Sequence, residues 1–234
     1  MGVTTVLGIA FPKPALVGWS AKEVAEAVVN RRECLADFTD DELRDFLRGA
    51  PSRVRNPAAN RGTEVHRLAN RLAHGEDVDV PVELLDYVDA YLAFLRAFEP
   101  SEALIERPCF NRRLRYGGTF DMVARLGGPG AGRRYLVDIK TSGSGVYGEV
   151  ALQLAAYGHA EFYLDELGAE QPMPALDAYG ALWVRPDGYD FYPVEVTSRE
   201  WAAFRTFHRG AKWIKERQER VLSDPLWQLQ AIAV

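Results

Sequence analysis

The stretch Gly118-Thr119-Phe120-Asp121, followed by Val137-Asp138-Ile139-Lys140-Thr141-Ser142, decides how this chain is read. Both segments alternate as strands do, with successive side chains on opposite faces. On the second, Tyr135, Val137 and Ile139 fall on one face, and Leu136, Asp138 and Lys140 on the other. On the first, Phe120, Met122 and Ala124 form an apolar face and Asp121 projects opposite. A hairpin of the two brings a pair of carboxylates and an ammonium to one point. Carboxylate oxygens suit a hard cation such as Mg²⁺ or Mn²⁺. An ammonium beside them suits an anionic substrate or developing negative charge. The competing interpretation is a surface ion-pair cluster on a strand edge. Against it stands the apolar run Tyr135-Leu-Val-Asp-Ile-Lys140, which fits a covered strand, where charges are costly unless paired or bound to metal.

Outward from this pair, the 234 residues suffice for one large domain or two small ones. A hydrophobic share of 47% and a charged share of 26% fit a globular protein with a sizeable core. No apolar run approaches the roughly 20 residues of a membrane span, and no signal peptide is evident, so no membrane role is expected. Cys34 and Cys109 make no disulfide framework and point to a reducing, cytoplasmic setting. A formal charge of −5 excludes a surface coated in basic residues but leaves room for a local basic groove.

Residues 1–19, punctuated by Pro and Gly, are expected to form an irregular arm. Ser20-Ala-Lys-Glu23 predicts a capping box and a helix to about Arg32, and Thr39-Asp-Asp-Glu42 a second, short helix ending near Gly49. Residues 51–57 form a basic linker, and 57–73 a helix with Ala58, Val65, Leu68, Ala69 and Leu72 as its stripe. His66 sits at the edge of that stripe. It is either a packing histidine or a metal ligand whose partner cluster is Asp121 and Asp138. Residues 82–98 read as a packing helix without chemistry. A strand is expected over 103–110, carrying Glu106, after which Arg112, Arg113 and Arg115 lead into the Asp121 strand. Residues 127–132 form a hairpin loop too loose to cradle a phosphate. A helix over 147–167 places Glu149, Gln153 and Tyr157 on one face, either toward solvent or toward the Asp–Lys strand. A hairpin over 175–184 and 189–196 and a capped helix over 197–222 complete the chain. The organisation expected is an N-terminal segment, 1–56, covering a cleft in a core, 57–234, as one compact unit.

Four pieces occur in order: Arg61-Gly-Thr-Glu-Val-His66, Gly118-Thr-Phe-Asp121, Asp138-Ile-Lys140-Thr-Ser and Gln153-Leu-Ala-Ala-Tyr157. Over about 57–196 the chain resembles the RecB-type branch of the PD-(D/E)XK nuclease superfamily, which includes phage recombination exonucleases. Asp-x-Lys alone is weak; the ordered set is specific. The resemblance implies an α/β (α+β) fold, a restriction-endonuclease-like α-β-β-β-α-β core with a mixed sheet flanked by helices. It implies His66, Asp121, Asp138 and the Ile139 carbonyl as ligands of Mg²⁺ or Mn²⁺, with Lys140 positioning or activating the attacking water. Gln153 and Tyr157 match the motif that assists DNA contact or positioning, and Glu106 stands where some members keep a further acid. The iron–sulfur members of the branch use four cysteines; with two here, no iron–sulfur cluster is expected.

The activity implied is metal-dependent hydrolysis of DNA phosphodiesters, from ends rather than at a sequence, in recombination, repair or phage DNA processing. The implied partners are DNA and recombination or replication proteins. Arg61, Arg112, Arg113 and Arg115 are the candidate phosphate contacts. Two other functions fit parts of the pattern: a catalytically inactive DNA-binding or assembly module, and a small-molecule metal hydrolase.

Overall fold

The computed structural model describes residues 1–73, 75–143 and 145–224, including all their side chains except those at 36, 56–60, 63, 66, 69, 70 and 73. Seven strands form one mixed sheet in the order β5-β4-β1-β2-β3-β6-β7. They are β1 Ser101–Asn111, β2 Tyr116–Leu126, β3 Arg133–Lys140, β4 Phe162–Leu164, β5 Glu170–Pro172, β6 Ala178–Arg185 and β7 Gly188–Val194. Among these described strands only β3 and β6 pair in parallel, with helix α5, Glu149–Gly158, lying between them in sequence. An α/β fold with a mixed sheet and flanking helices is therefore present.

The alternation along β3 sorts its side chains as expected. Tyr135, Val137 and Ile139 join one core with Tyr91, Phe94 and Phe98 of helix α4, Leu85–Phe98. Leu136 joins the other core, with Val3 and Val6 of α1 (Val3–Ala10), Leu154 of α5 and Phe204 of α6 (Ser198–Glu216). The sheet is thus covered on both faces, which is why β3 reads as nearly continuous apolar sequence.

Several boundaries differ from expectation for physical reasons. Residues 1–19 are no irregular arm: α1 is helical and anchored by fully buried Val3 and Val6, and α2 runs Pro14–Arg31. Pro14 opens α2, where its missing N–H costs nothing, so Ser20 lies inside the helix and caps nothing. Thr39 does start a helix, its hydroxyl and backbone N–H both donating to Glu42. That helix, α3, runs on from Asp40 to Ala73, so the expected linker at 51–57 is helical and the 56/57 boundary falls within α3. Each internal proline removes one helix hydrogen bond at a cost of about 3 kcal/mol. Packing of α3 on α2 and α4 acts against that cost.

Helix α5 ends at Gly158, not 167. A Cβ there would come 2.6 Å from the Tyr179 hydroxyl. Beyond it the aromatic run Phe162-Tyr163 pairs with Cys109 and Phe110 of β1, a tertiary contact that overrides local helical composition. The last helix keeps its capping box on Thr197 and Glu200 but stops at Glu216 instead of 222. No helix of the described residues is long and apolar enough to cross a membrane.

Candidate metal and phosphate site

The β2–β3 ladder runs from Leu126↔Arg133 to Met122↔Val137 and there it stops. Beyond that point, Asp138, Ile139 and Lys140 stay paired with Ala181, Leu182 and Trp183 of β6 on the other side. Asp121 marks the place where the two strands part. Its carboxylate accepts a hydrogen bond from the Ile139 backbone N–H at 2.6 Å, substituting for a ladder carbonyl. The parting coincides with a slip in the alternation of β2. Phe120 packs with Val123 and Leu136, whereas Met122 and Ala124 pack with Val137. The single apolar face expected for Phe120, Met122 and Ala124 is therefore divided at Asp121. The pairs Ile105↔Met122 and Arg107↔Phe120 put Glu106 across from Asp121, and Glu106 has a positive φ of 50°. The positive φ at Glu106 marks an irregular backbone on β1 at the level where β2 changes face.

Into this opening come side chains from β3 and α5. Asp138 is 2% exposed on a strand paired with β6. Lys140 Nζ lies 2.7 Å from one Asp138 oxygen and 3.0 Å from the other. It also donates to Gln153 Oε1 at 3.3 Å. Gln153 in turn donates to the Tyr157 hydroxyl at 3.4 Å. Glu149, Gln153 and Tyr157 do share a face of α5, and that face turns toward the strand at its C-terminal end, where Tyr157 is 3% exposed, while Glu149 at the N-terminal end stays partly open to solvent. Gly118 provides the room, since a Cβ there would stand 2.7 Å from Tyr157 Cε1. Gly62 of α3 approaches the end of β3 in the same way, 3.1 Å from Thr141 Oγ1 for a Cβ built on it.

The charges in the site hold each other in place. Burial presses the Lys140 pKa down, but the adjacent Asp138 carboxylate, with Asp121 and Glu149 nearby, more than reverses this and raises it. Burial, reinforced by the Asp121 charge, raises Tyr157, so its hydroxyl stays neutral at any physiological pH. The pKa of the Tyr91 hydroxyl of α4 is likewise raised, first by burial and then by the charges of Asp121 and Glu106. Sequence periodicity marked Tyr91 only as packing, and nothing in its spacing signals this position.

Asp121, Asp138, Lys140, Gln153 and Tyr157 are thus brought together, with Glu106 opposite Asp121. His66 lies on α3 one turn beyond Gly62; its side chain is outside the described residues. Among the described residues, no group of three or more His, Cys, Asp or Glu is placed to hold a metal. The donor chemistry present is two carboxylates and the backbone of Ile139, an oxygen-rich set of the kind hard cations take. The arginines are scattered. Arg61 lays its guanidinium over Tyr87 at 5.5 Å. Arg112 stacks on Phe162 at 4.1 Å and is ion-paired with Glu170. Arg112 and Arg115 line a separate cavity of about 590 Å³ at the tip of the β1–β2 hairpin.

No family model matches the chain, and no curated protein matches it. Among solved structures, the crystal structure of SSO0001 is similar at 14% identity and a TM-score of 0.39, over 92% of this chain and 75% of that one. A likeness at that level carries no argument about activity.

Proposed function

We propose that the chain is a divalent-metal-dependent deoxyribonuclease with a PD-(D/E)XK-type core, acting on DNA ends. The observation that carries this reading is the convergence of Asp121, Asp138 and Lys140 where β2 and β3 part, with Lys140 held between Asp138 and Gln153. The order α4-β1-β2-β3-α5-β6 supports it, with β4 and β5 inserted after α5.

Asp121 and Asp138 would hold Mg²⁺ or Mn²⁺, with the Ile139 carbonyl and His66 as further ligands on the resemblance. A divalent ion bound there supplies charge neutralisation at a phosphodiester and acidifies a coordinated water. The protein's own contribution is positional. The Asp121 bond to Ile139 N–H fixes the carboxylate at the mouth of the opening. Gln153 and Asp138 aim the Lys140 ammonium, which stabilises negative charge growing on the phosphate. Tyr157, wedged on Gly118, keeps Gln153 in reach of Lys140.

End-directed attack is favoured because few residues remain outside core elements to read base edges. The test compares a linear duplex with the same sequence as a covalently closed circle, in Mn²⁺, in Mg²⁺ and in EDTA. Nucleotide release from the linear form in either metal, and none in EDTA, is expected. Discrete fragments from the circle would indicate a site-specific endonuclease, and no cleavage of either form would exclude a nuclease.

A further inference from the structure

A cleft of about 320 Å³ opens beside Lys140, between the α1–α2 corner and the N-terminal end of α5. Lys13, Lys140, Ser142, Tyr147, Glu149 and Gln153 are among its lining residues. Lys13 comes from far away in sequence. It precedes Pro14 at the start of α2, and α1, packed on α5 and α6, carries it to the rim. Its ammonium pairs with Glu149 at 2.6 Å, and the two side chains are 34% and 31% exposed. We propose that Lys13 is a phosphate-binding residue of this cleft, held by Glu149 until a nucleic-acid phosphate replaces that carboxylate.

Three features carry the inference. First, the two lysines on the cleft are held differently. Lys140 is fixed between Asp138 and Gln153, whereas Lys13, among the described residues, is held by the partly exposed Glu149 carboxylate. Second, an ion pair exposed to this degree contributes only about 0–1 kcal/mol, so exchanging one anion for another is inexpensive. Third, the long lysine stem lets the ammonium swing while the backbone stays fixed, its carbonyl accepting from Leu16 N–H at 3.0 Å. An ammonium on a flexible stem binds phosphate as a point charge, without sequence preference. Exposed Tyr147 on the same cleft offers a flat ring beside the phosphate path.

This inference rests on the nuclease reading, and its test separates the two. Affinity for a short fluorescein-labelled DNA duplex is measured by anisotropy in EDTA across a potassium chloride titration. Lys13→Ala is expected to weaken binding about five- to tenfold and to flatten the log–log salt slope by about 1. Lys13→Arg keeps both near the unmodified values, which excludes a folding defect as the cause. Glu149→Gln tightens binding, and does so only when Lys13 is present. Unchanged affinity and slope in Lys13→Ala, in a protein that cleaves DNA with metal, overturns this inference alone. Absence of both binding and metal-dependent cleavage in the unmodified protein overturns it together with the nuclease reading.

Discussion

The carboxylate of Asp121 accepts the Ile139 backbone N–H at 2.6 Å, at the point where the β2–β3 ladder ends. One side chain thereby does two things: it satisfies the donor that the opening strands would leave behind, and it stands next to Asp138.

These two roles separate by mutation. Asp121→Asn retains an acceptor oxygen for Ile139, and is expected to fold with near-normal stability while losing metal-dependent cleavage. Asp121→Ala leaves that N–H unmatched and should lose cleavage and about 1–3 kcal/mol of stability as well. Urea denaturation of both variants checks this. Equal stability would mean that the Asp121–Ile139 bond does not hold the opening.

Gly118→Ala is expected to destabilise by about 1–3 kcal/mol, because the new methyl meets the Tyr157 ring at 2.7 Å. Combined with Tyr157→Leu, the loss should be smaller than the sum of the two single losses. Strict additivity in chemical denaturation would show that the two residues do not press on each other.

Lys140→Met removes the ammonium beside a nearly buried Asp138. The Lys140 side chain is 34% exposed, so the cost is discounted to about 1–3 kcal/mol in EDTA. Adding Mn²⁺ should shrink the deficit, because bound metal supplies the missing counter-charge and binds only the folded state. A deficit in urea denaturation that is the same with and without Mn²⁺ would argue against a cation at Asp138.

Two thiols test the burial of the core. Cys109 is buried, and loss of hydration pushes its pKa up from 9.0 to about 12, whereas Cys34 is exposed. A group with a raised folded pKa contributes stability that is full below its unfolded value and lost as pH rises through the folded one. Stability should therefore decline between about pH 9 and pH 12, and less steeply in Cys109→Ala. At pH 8 a thiol reagent is expected to titrate one cysteine in the native protein and two in urea. Two fast thiols in the native state would contradict the packing of β1.

How much of this was legible in the sequence depends on how local the signal is. The strand faces of β3 follow from period-two alternation, and they fall in two different cores as that alternation demands. The face of α5 bearing Glu149, Gln153 and Tyr157 follows from spacing by four, although spacing left open whether it met solvent or strand. The slip at Asp121 was not legible, because it falls opposite the positive-φ Glu106 of a neighbouring strand, a pairing that only the fold supplies. Nor was Lys13: its place on the cleft comes from the docking of α1 against α5 and α6, and a lone lysine before a proline carries no trace of that. The continuity of α3 through Pro51 and Pro57 was hidden for a related reason, since proline's local penalty is set against packing that only the fold supplies.

The proposed function stands on Asp121, Asp138 and Lys140 forming a metal-dependent phosphodiester-cleaving site. The most direct measurement is single-turnover cleavage of end-labelled linear DNA in Mn²⁺ by the unmodified protein and by Asp138→Ala, with circular dichroism confirming that both are folded. Cleavage by the unmodified protein that EDTA abolishes, and none above background by Asp138→Ala, is expected. Cleavage at the unmodified rate by Asp138→Ala would contradict the proposed function.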